Sequence, residues 1–193
     1  MKDISVIGGG AWGTAIANTL IRSGAKEISI WARENSVVES INLEGINKIY
    51  LPNCKVLPGI YASNNLKDVL SKIVFLVVPA QFLRKIITSY SLVCEQSNQD
   101  IKKMTVVVCS KGIELKTLSL MSEIVRDILP NINLAVLSGP TFAREVAEGK
   151  PAAVTLATES EKIAEKIAIV LQNTNFRPYL SSDMIGVQVS AAL

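Results

Sequence analysis

Ile4-Ser5-Val6-Ile7-Gly8-Gly9-Gly10-Ala11-Trp12-Gly13-Thr14 joins a short aliphatic run, a glycine cluster and the start of a helical pattern that continues to Leu20. The glycines follow G-x-G-x-x-G, which is weak in isolation and gains weight between a strand and a helix. In that setting Gly8 permits a tight turn, Gly10 lets the backbone approach a pyrophosphate, and Gly13 lets helix and strand pack closely. The helix N-terminus that follows offers free N–H groups and a partial positive charge to phosphate.

Working outward, aliphatic runs at 4–7, 28–31, 73–78, 105–109, 134–137 and 153–156 read as strands. Segments at 14–23, 34–44, 81–94, 118–129 and 159–172 carry apolar residues at three- and four-residue spacing and read as helices. A further strand is expected at 176–180, and a helix capped by Ser182 or Asp183 from Met184. This alternation predicts an α/β fold, a doubly wound, mostly parallel Rossmann-type sheet. Residues 47–65 interrupt it with Pro52, Pro58 and Gly59. That stretch reads either as a functional excursion with a small element of its own or as a cover over the sheet edge.

Composition narrows the chemistry. Hydrophobic residues make up 49% of the 193 and aromatic ones 5%, so the core is aliphatic, as a sheet buried on both faces requires. There is no histidine, which excludes histidine-based triads and histidine zinc sites; no metal site is expected. Cys54, Cys94 and Cys109 have no C-x-x-C spacing and read as reduced thiols of a cytoplasmic protein. The net charge of +3 and the absence of a basic block argue against nucleic acid as partner. No apolar stretch reaches the ~20 residues of a membrane helix.

Four segments carry candidate chemistry. Arg33, followed by Glu34, falls about 20 residues past Gly13, where an acid favours the ribose of NAD and an arginine the 2′-phosphate of NADP. Arg33 tilts the expectation toward NADP, with NAD tolerated; its alternative is a solvated surface charge. Pro79, in Val78-Pro79-Ala80, ends a strand at the carboxyl edge of the sheet, either walling a site or starting the next helix. Lys111, in Ser110-Lys111-Gly112, is delivered to the same edge, where an ammonium binds phosphate or polarises a carbonyl. In Ser138-Gly139-Pro140-Thr141-Phe142-Ala143-Arg144-Glu145, Gly139 and Thr141 offer donors to an oxygen-rich ligand, or Thr141 simply caps a helix over 142–148.

Taken together these motifs, with Trp31-Ala32-Arg33, Tyr50-Leu51-Pro52-Asn53 and Ile185-Gly186-Val187, resemble bacterial NAD(P)-dependent glycerol-3-phosphate dehydrogenase over essentially the whole chain. The Ser138–Glu145 string followed by Gly149-Lys150-Pro151 is the most specific element. The resemblance implies reversible reduction of dihydroxyacetone phosphate, a small phosphate substrate, feeding phospholipid synthesis. It also implies cofactor contacts from Ala11, Trp12, Arg33, Lys111 and Ala143, and substrate contacts from Lys111, Gly139 and Thr141. A homodimer is the candidate assembly. In the family the last helix continues into a catalytic lysine, whose expected position follows Leu193, and into an all-helical second domain. The resemblance therefore implies a dinucleotide-binding domain over 1–183 and the start of a connecting helix over 184–193, binding cofactor without turnover by itself. Ser190-Ala191 stands where the family favours Gly-Gly. Another two-domain hydroxyacid or ketopantoate-type dehydrogenase, and a non-catalytic NADPH-sensing module, are the rival readings.

Overall fold

The structure, a computed structural model, describes residues 2–192. In chain order its elements are β1 (Lys2–Ile7), α1 (Ala11–Arg22), β2 (Ile28–Trp31), α2 (Asn35–Glu44), β3 (Ile46–Asn47), β4 (Leu51–Lys55), β5 (Ile60–Ser63) and β6 (Ser71–Leu76). There follow α3 (Ala80–Gln96), β7 (Thr105–Val108), α4 (Met121–Ile128), β8 (Asn133–Ser138), α5 (Ala143–Glu148), β9 (Ala152–Ala157), α6 (Glu161–Leu171), β10 (Phe176–Ser181) and α7 (Met184–Ala192).

Eight strands form one sheet in the order β10-β9-β8-β7-β6-β1-β2-β5. Every pairing in it is parallel except β8 with β9, which is antiparallel, so β9 and β10 run against the other six. The register places Val6 beside Phe75 and Phe75 beside Val107. Side chains alternate between two buried faces. Val6, Phe75 and Val107 join the core beneath α1, α5 and α6, whereas Ile7, Leu76 and Val108 join the core beneath α3, α4 and α7. Because both faces are covered, the strands read as unbroken aliphatic runs instead of alternating patterns.

Helix α1 is buried continuously from Gly13 to Leu20. Its small residues let it lie against the sheet, α5 and the strands of the 47–65 excursion at once. Polar side chains on α1 tie these neighbours in place. The Asn18 amide donates to Lys55 O at 2.9 Å and its carbonyl accepts from Leu57 N at 3.0 Å. Arg22 donates to Val146 O at 3.1 Å and Ala147 O at 2.6 Å, satisfying the last carbonyls of α5.

Several boundaries move from their sequence-based positions. The excursion over 47–65 holds real elements: β4 pairs with β3, and β5 extends the main sheet parallel to β2. The strand expected to reach Val78 ends at Leu76, since Val77 turns toward the glycine loop. Helix α4 starts at Met121 and not at Leu118, whose φ of +59° no α-helix accommodates. Asp183 does cap α7, accepting from Gly186 N at 2.7 Å. Among the described residues no helix is long and apolar enough to cross a membrane.

Candidate functional site

The connections leave β1 on opposite sides: the chain crosses to β2 one way and, after the excursion, to β6 the other. A crevice forms at such a switch point, outside the carboxyl ends of the strands. Here it is a cavity of about 610 Å³ lined by the ends of β1, β2, β6 and β7 and by the first residues of α1 and α3. That volume lies in the usual range for small-molecule sites.

The glycine turn forms its floor. Gly8 has φ +130°, a conformation open to glycine, and a Cβ there would meet Val77 O at 2.5 Å. A Cβ on Gly13 would stand 1.8 Å from Gly8 O, so this residue is the close contact between α1 and the turn. Gly10 is different: its backbone is extended and a Cβ would meet no protein atom within 4 Å. Its missing side chain leaves space to the cavity. The first hydrogen bond of α1 runs from Thr14 N to Gly10 O, and no side chain caps the helix. The N–H groups of Ala11, Trp12 and Gly13 therefore stand at a positive helix end with no acid in the first turn. Asn47 holds the turn from above, its amide donating to Gly9 O and Thr14 Oγ1, both at 2.9 Å.

Of the residues expected from sequence, Gly8, Gly10, Ala11, Trp12, Arg33, Pro79, Lys111, Thr141 and Ala143 all line this one cavity. Pro79 does two jobs, standing in the wall and preceding the first turn of α3. Gly13 and Gly139 lie behind the lining. Gly139 packs against Val154, and its carbonyl accepts from Lys111 Nζ at 2.9 Å. Thr141 does not cap α5: Phe142 occupies that position and no side chain bonds the helix end.

Sequence reasoning missed Trp31, Glu34, Tyr50, Phe82, Lys85, Ile86 and Cys109 as lining residues. Phe82 carried a signal. The buried stripe of α3 is Leu83, Ile87, Tyr90 and Cys94, and Phe82 with Ile86 lies off that stripe at i, i+4 spacing. Phe82 is accordingly 53% exposed, a large apolar ring open to the cavity. Cys109 is no nucleophile: complete burial pushes its thiol well above the ordinary value, and it stays neutral. Arg33, Lys85 and Lys111 face one carboxylate, Glu34, so the lining carries surplus positive charge.

The loop bearing Lys111 is gripped by α3. Arg84 donates from Nε to Glu114 Oε1 and from Nη2 to Oε2, each at 2.9 Å, and the Thr117 hydroxyl donates to the same carboxylate. Gln81 donates to Ile113 O at 2.8 Å and accepts from Leu115 N at 3.1 Å. The hydrogen bonds from Arg84 and then Thr117 hold the Glu114 carboxyl below its ordinary value. A depressed folded value means this clamp stabilises above the ordinary carboxylate range and is lost as pH falls through the depressed value. Melting curves of wild type and Glu114→Gln, run from neutral pH downward, are expected to differ at neutrality and to converge in acid. A constant gap across that range would remove the clamp from the account.

The fold and its glycine turn are those of a Rossmann-type domain. A family model described as the N-terminus of NAD-dependent glycerol-3-phosphate dehydrogenase matches residues 3–164. The glycerol-3-phosphate dehydrogenase [NAD(P)+] of Rhodospirillum rubrum is 42% identical over 195 residues, covering all of this chain and 54% of its own length. That of Paramagnetospirillum magneticum is also 42% identical, again over the whole chain and 68% of its own length. The crystal structure of glycerol-3-phosphate dehydrogenase from Coxiella burnetii superposes with a TM-score of 0.89 at 32% identity, over 98% of this chain and 57% of that one. The chain belongs to the NAD(P)-dependent glycerol-3-phosphate dehydrogenase family. It spans about half to two thirds of the length of these relatives.

Proposed function

We propose that this chain is the dinucleotide-binding part of a glycerol-3-phosphate dehydrogenase, with residues 1–183 as the cofactor domain and α7 leading out of it. The observation that carries the reading is the empty volume over Gly10 beside the uncapped start of α1. It fits a pyrophosphate, which needs close backbone approach and exposed N–H groups. A second observation agrees. The indole Nε1 of Trp12 is buried without a hydrogen-bond partner in a residue that lines the cavity, as expected of a donor reserved for a ligand.

In this reading Gly8, Gly10, Ala11 and Trp12 hold the phosphates, with Gly13 fixing the helix behind them. Arg33 takes the adenosine 2′-phosphate and favours NADP over NAD. Pro79 and Ala143 bound the site on its other sides. A bound nicotinamide supplies the hydride for reduction of dihydroxyacetone phosphate to sn-glycerol 3-phosphate, the precursor of glycerophospholipids. Lys111, oriented by Gly139, carries positive charge to the substrate, and Thr141 offers it a hydroxyl. Preorganised charge of this kind favours the transition state over the ground state. We assign the proton for the alkoxide to the lysine that the family resemblance expects after Leu193, and expect this chain alone to bind cofactor without turnover. A cytoplasmic setting agrees with three free, buried cysteines.

Both tryptophans of the chain, Trp12 and Trp31, line the cavity. Tryptophan fluorescence, excited selectively over tyrosine, therefore reports on this site alone. Titration with NADPH is expected to quench it saturably, and a longer protein carrying the whole chain is expected to oxidise NADPH with dihydroxyacetone phosphate. Absence of both quenching and calorimetric heat at millimolar cofactor would end the reading.

A further inference from the structure

The β3–β4 turn reaches the glycine loop through Asn47. This side chain is fully buried, and both ends of its amide are engaged. Its Nδ2 donates to Gly9 O and to Thr14 Oγ1, both at 2.9 Å, and its Oδ1 accepts from Tyr50 N at 3.1 Å. The Thr14 hydroxyl gives its own hydrogen to Gly10 O at 3.0 Å, which leaves it a lone pair for Asn47. One amide therefore fixes both carbonyls beside the Gly10 Cα, Gly9 O directly and Gly10 O through Thr14. Both peptides are trans, so the N–H groups of Gly10 and Ala11 point the opposite way from those carbonyls. Among the described residues neither N–H has a backbone acceptor, and Gly10 and Ala11 line the cavity.

The run Gly8-Gly9-Gly10 has little means of holding these peptide planes by itself. Glycine crosses most of backbone space at low cost, so three in succession need a restraint from outside. We propose that Asn47 is a positioning residue of the phosphate site: it presets the peptides on either side of Gly10, so that their N–H groups face the pyrophosphate before the ligand arrives. Asn47 is not in the cavity lining and acts through the turn. The ordering of the turn is then completed on folding and is not charged against binding, which tightens the complex. By this route the 47–65 excursion has a role beyond covering the sheet edge, as the brace of the glycine loop. The inference rests on the dinucleotide-binding reading of the cavity and adds to it what keeps the phosphate cradle in its binding form. Asn18 supplies an internal control. It is equally buried and also ties α1 to the excursion, but its bonds go to Lys55 O, Leu57 N and Ala147 O, none of them in the turn.

The test titrates the 193-residue chain with NADPH by calorimetry, as wild type, Asn47→Ala, Thr14→Val and Asn18→Ala, each first shown to be folded by circular dichroism. Amide-resolved NMR spectra of the ligand-free chains follow Gly10 and Ala11. Asn47→Ala is expected to weaken NADPH about tenfold, the cost of ordering roughly one residue, and to broaden or split both amide signals. Thr14→Val keeps the shape and loses only the link to Gly10 O, so it is expected to weaken NADPH by a smaller factor, about threefold. Asn18→Ala is expected to melt as low as Asn47→Ala and still bind NADPH within about twofold of wild type. A purely structural role for Asn47 would change affinity in the two asparagine variants alike, and that result overturns the inference. Where Asn47→Ala does not fold, wild-type affinity and unaltered Gly10 and Ala11 signals in Thr14→Val overturn it. Both of these results leave the binding reading standing. Failure of wild type to bind NADPH ends that reading and this inference with it.

Discussion

Gly13→Ala is expected to destabilise the domain by about 3 kcal/mol or more, at or beyond the top of the usual overpacking range, and to abolish dinucleotide binding. The added methyl would lie 1.8 Å from Gly8 O and 3.0 Å from Gly8 C, both backbone atoms of the turn. Neither can rotate away, so the whole start of α1 must lift from the glycine turn. That movement pulls against Asn47, which bonds Gly9 O and Thr14 Oγ1 together. Gly10→Ala is the informative partner. Its backbone sits at φ −77°, ψ −175°, which alanine adopts readily, and its methyl would meet no protein atom. It is expected to melt close to wild type and still lose the cofactor, because the methyl stands where the pyrophosphate would. Denaturant unfolding with cofactor titration of both variants separates packing from binding. Equal melting temperatures for Gly13→Ala and wild type would refute the packing argument, and unimpaired binding by Gly10→Ala would refute the cradle.

Lys111→Ala, placed in a protein that carries this chain with the remainder present in its relatives, is expected to lower kcat/KM for dihydroxyacetone phosphate by roughly 10²-fold or more. Lys111 is exposed, and the hydrogen bond recorded for its ammonium goes to Gly139 O at 2.9 Å. Its loss therefore leaves the fold and melting temperature essentially unchanged. The grip of Arg84 on Glu114 is what keeps the loop in place, and it survives the substitution. A steep fall in turnover without a fall in stability is the signature of charge directed at substrate. Near-normal turnover would remove Lys111 from the mechanism.

Much of this architecture is legible in the chain because parallel strands buried on both faces leave aliphatic runs that no other element imitates as well. Ile28–Trp31 matches its sequence reading at both ends. Strand β4 was hidden for a physical reason. Leu51-Pro52-Asn53-Cys54-Lys55 carries a proline and an asparagine at φ +68°, so only Leu51 and Cys54 turn inward and no alternation appears. The direction of β9 was equally hidden, since the side-chain period of a strand is the same either way. Within the site, the glycine turn and Lys111 announce themselves by local pattern. Glu34 reads as the start of a helix and is that, preceding α2 as its N-terminal cap position; what stays hidden is its bond from Tyr50, sixteen residues away and brought back by the β3–β4 turn. Asn47 is a similar case: buried, bonded to three groups of two other segments and its own, and silent in sequence.

The reversal of β9 and β10 decides where the chain goes next. Were all eight strands aligned, a helix following the last of them would begin beside the cavity and travel away from it. Because β10 runs the opposite way, α7 begins at the far edge of the sheet and climbs back. Its progress is marked by contact: Gln188 receives Ser122 N at 2.9 Å and donates to Ser122 Oγ at 2.8 Å, at the start of α4, itself reached from the carboxyl end of β7. One change of strand polarity thus acts as a router, sending α7 back along the sheet beside β8 and β9 and up to the first turn of α4.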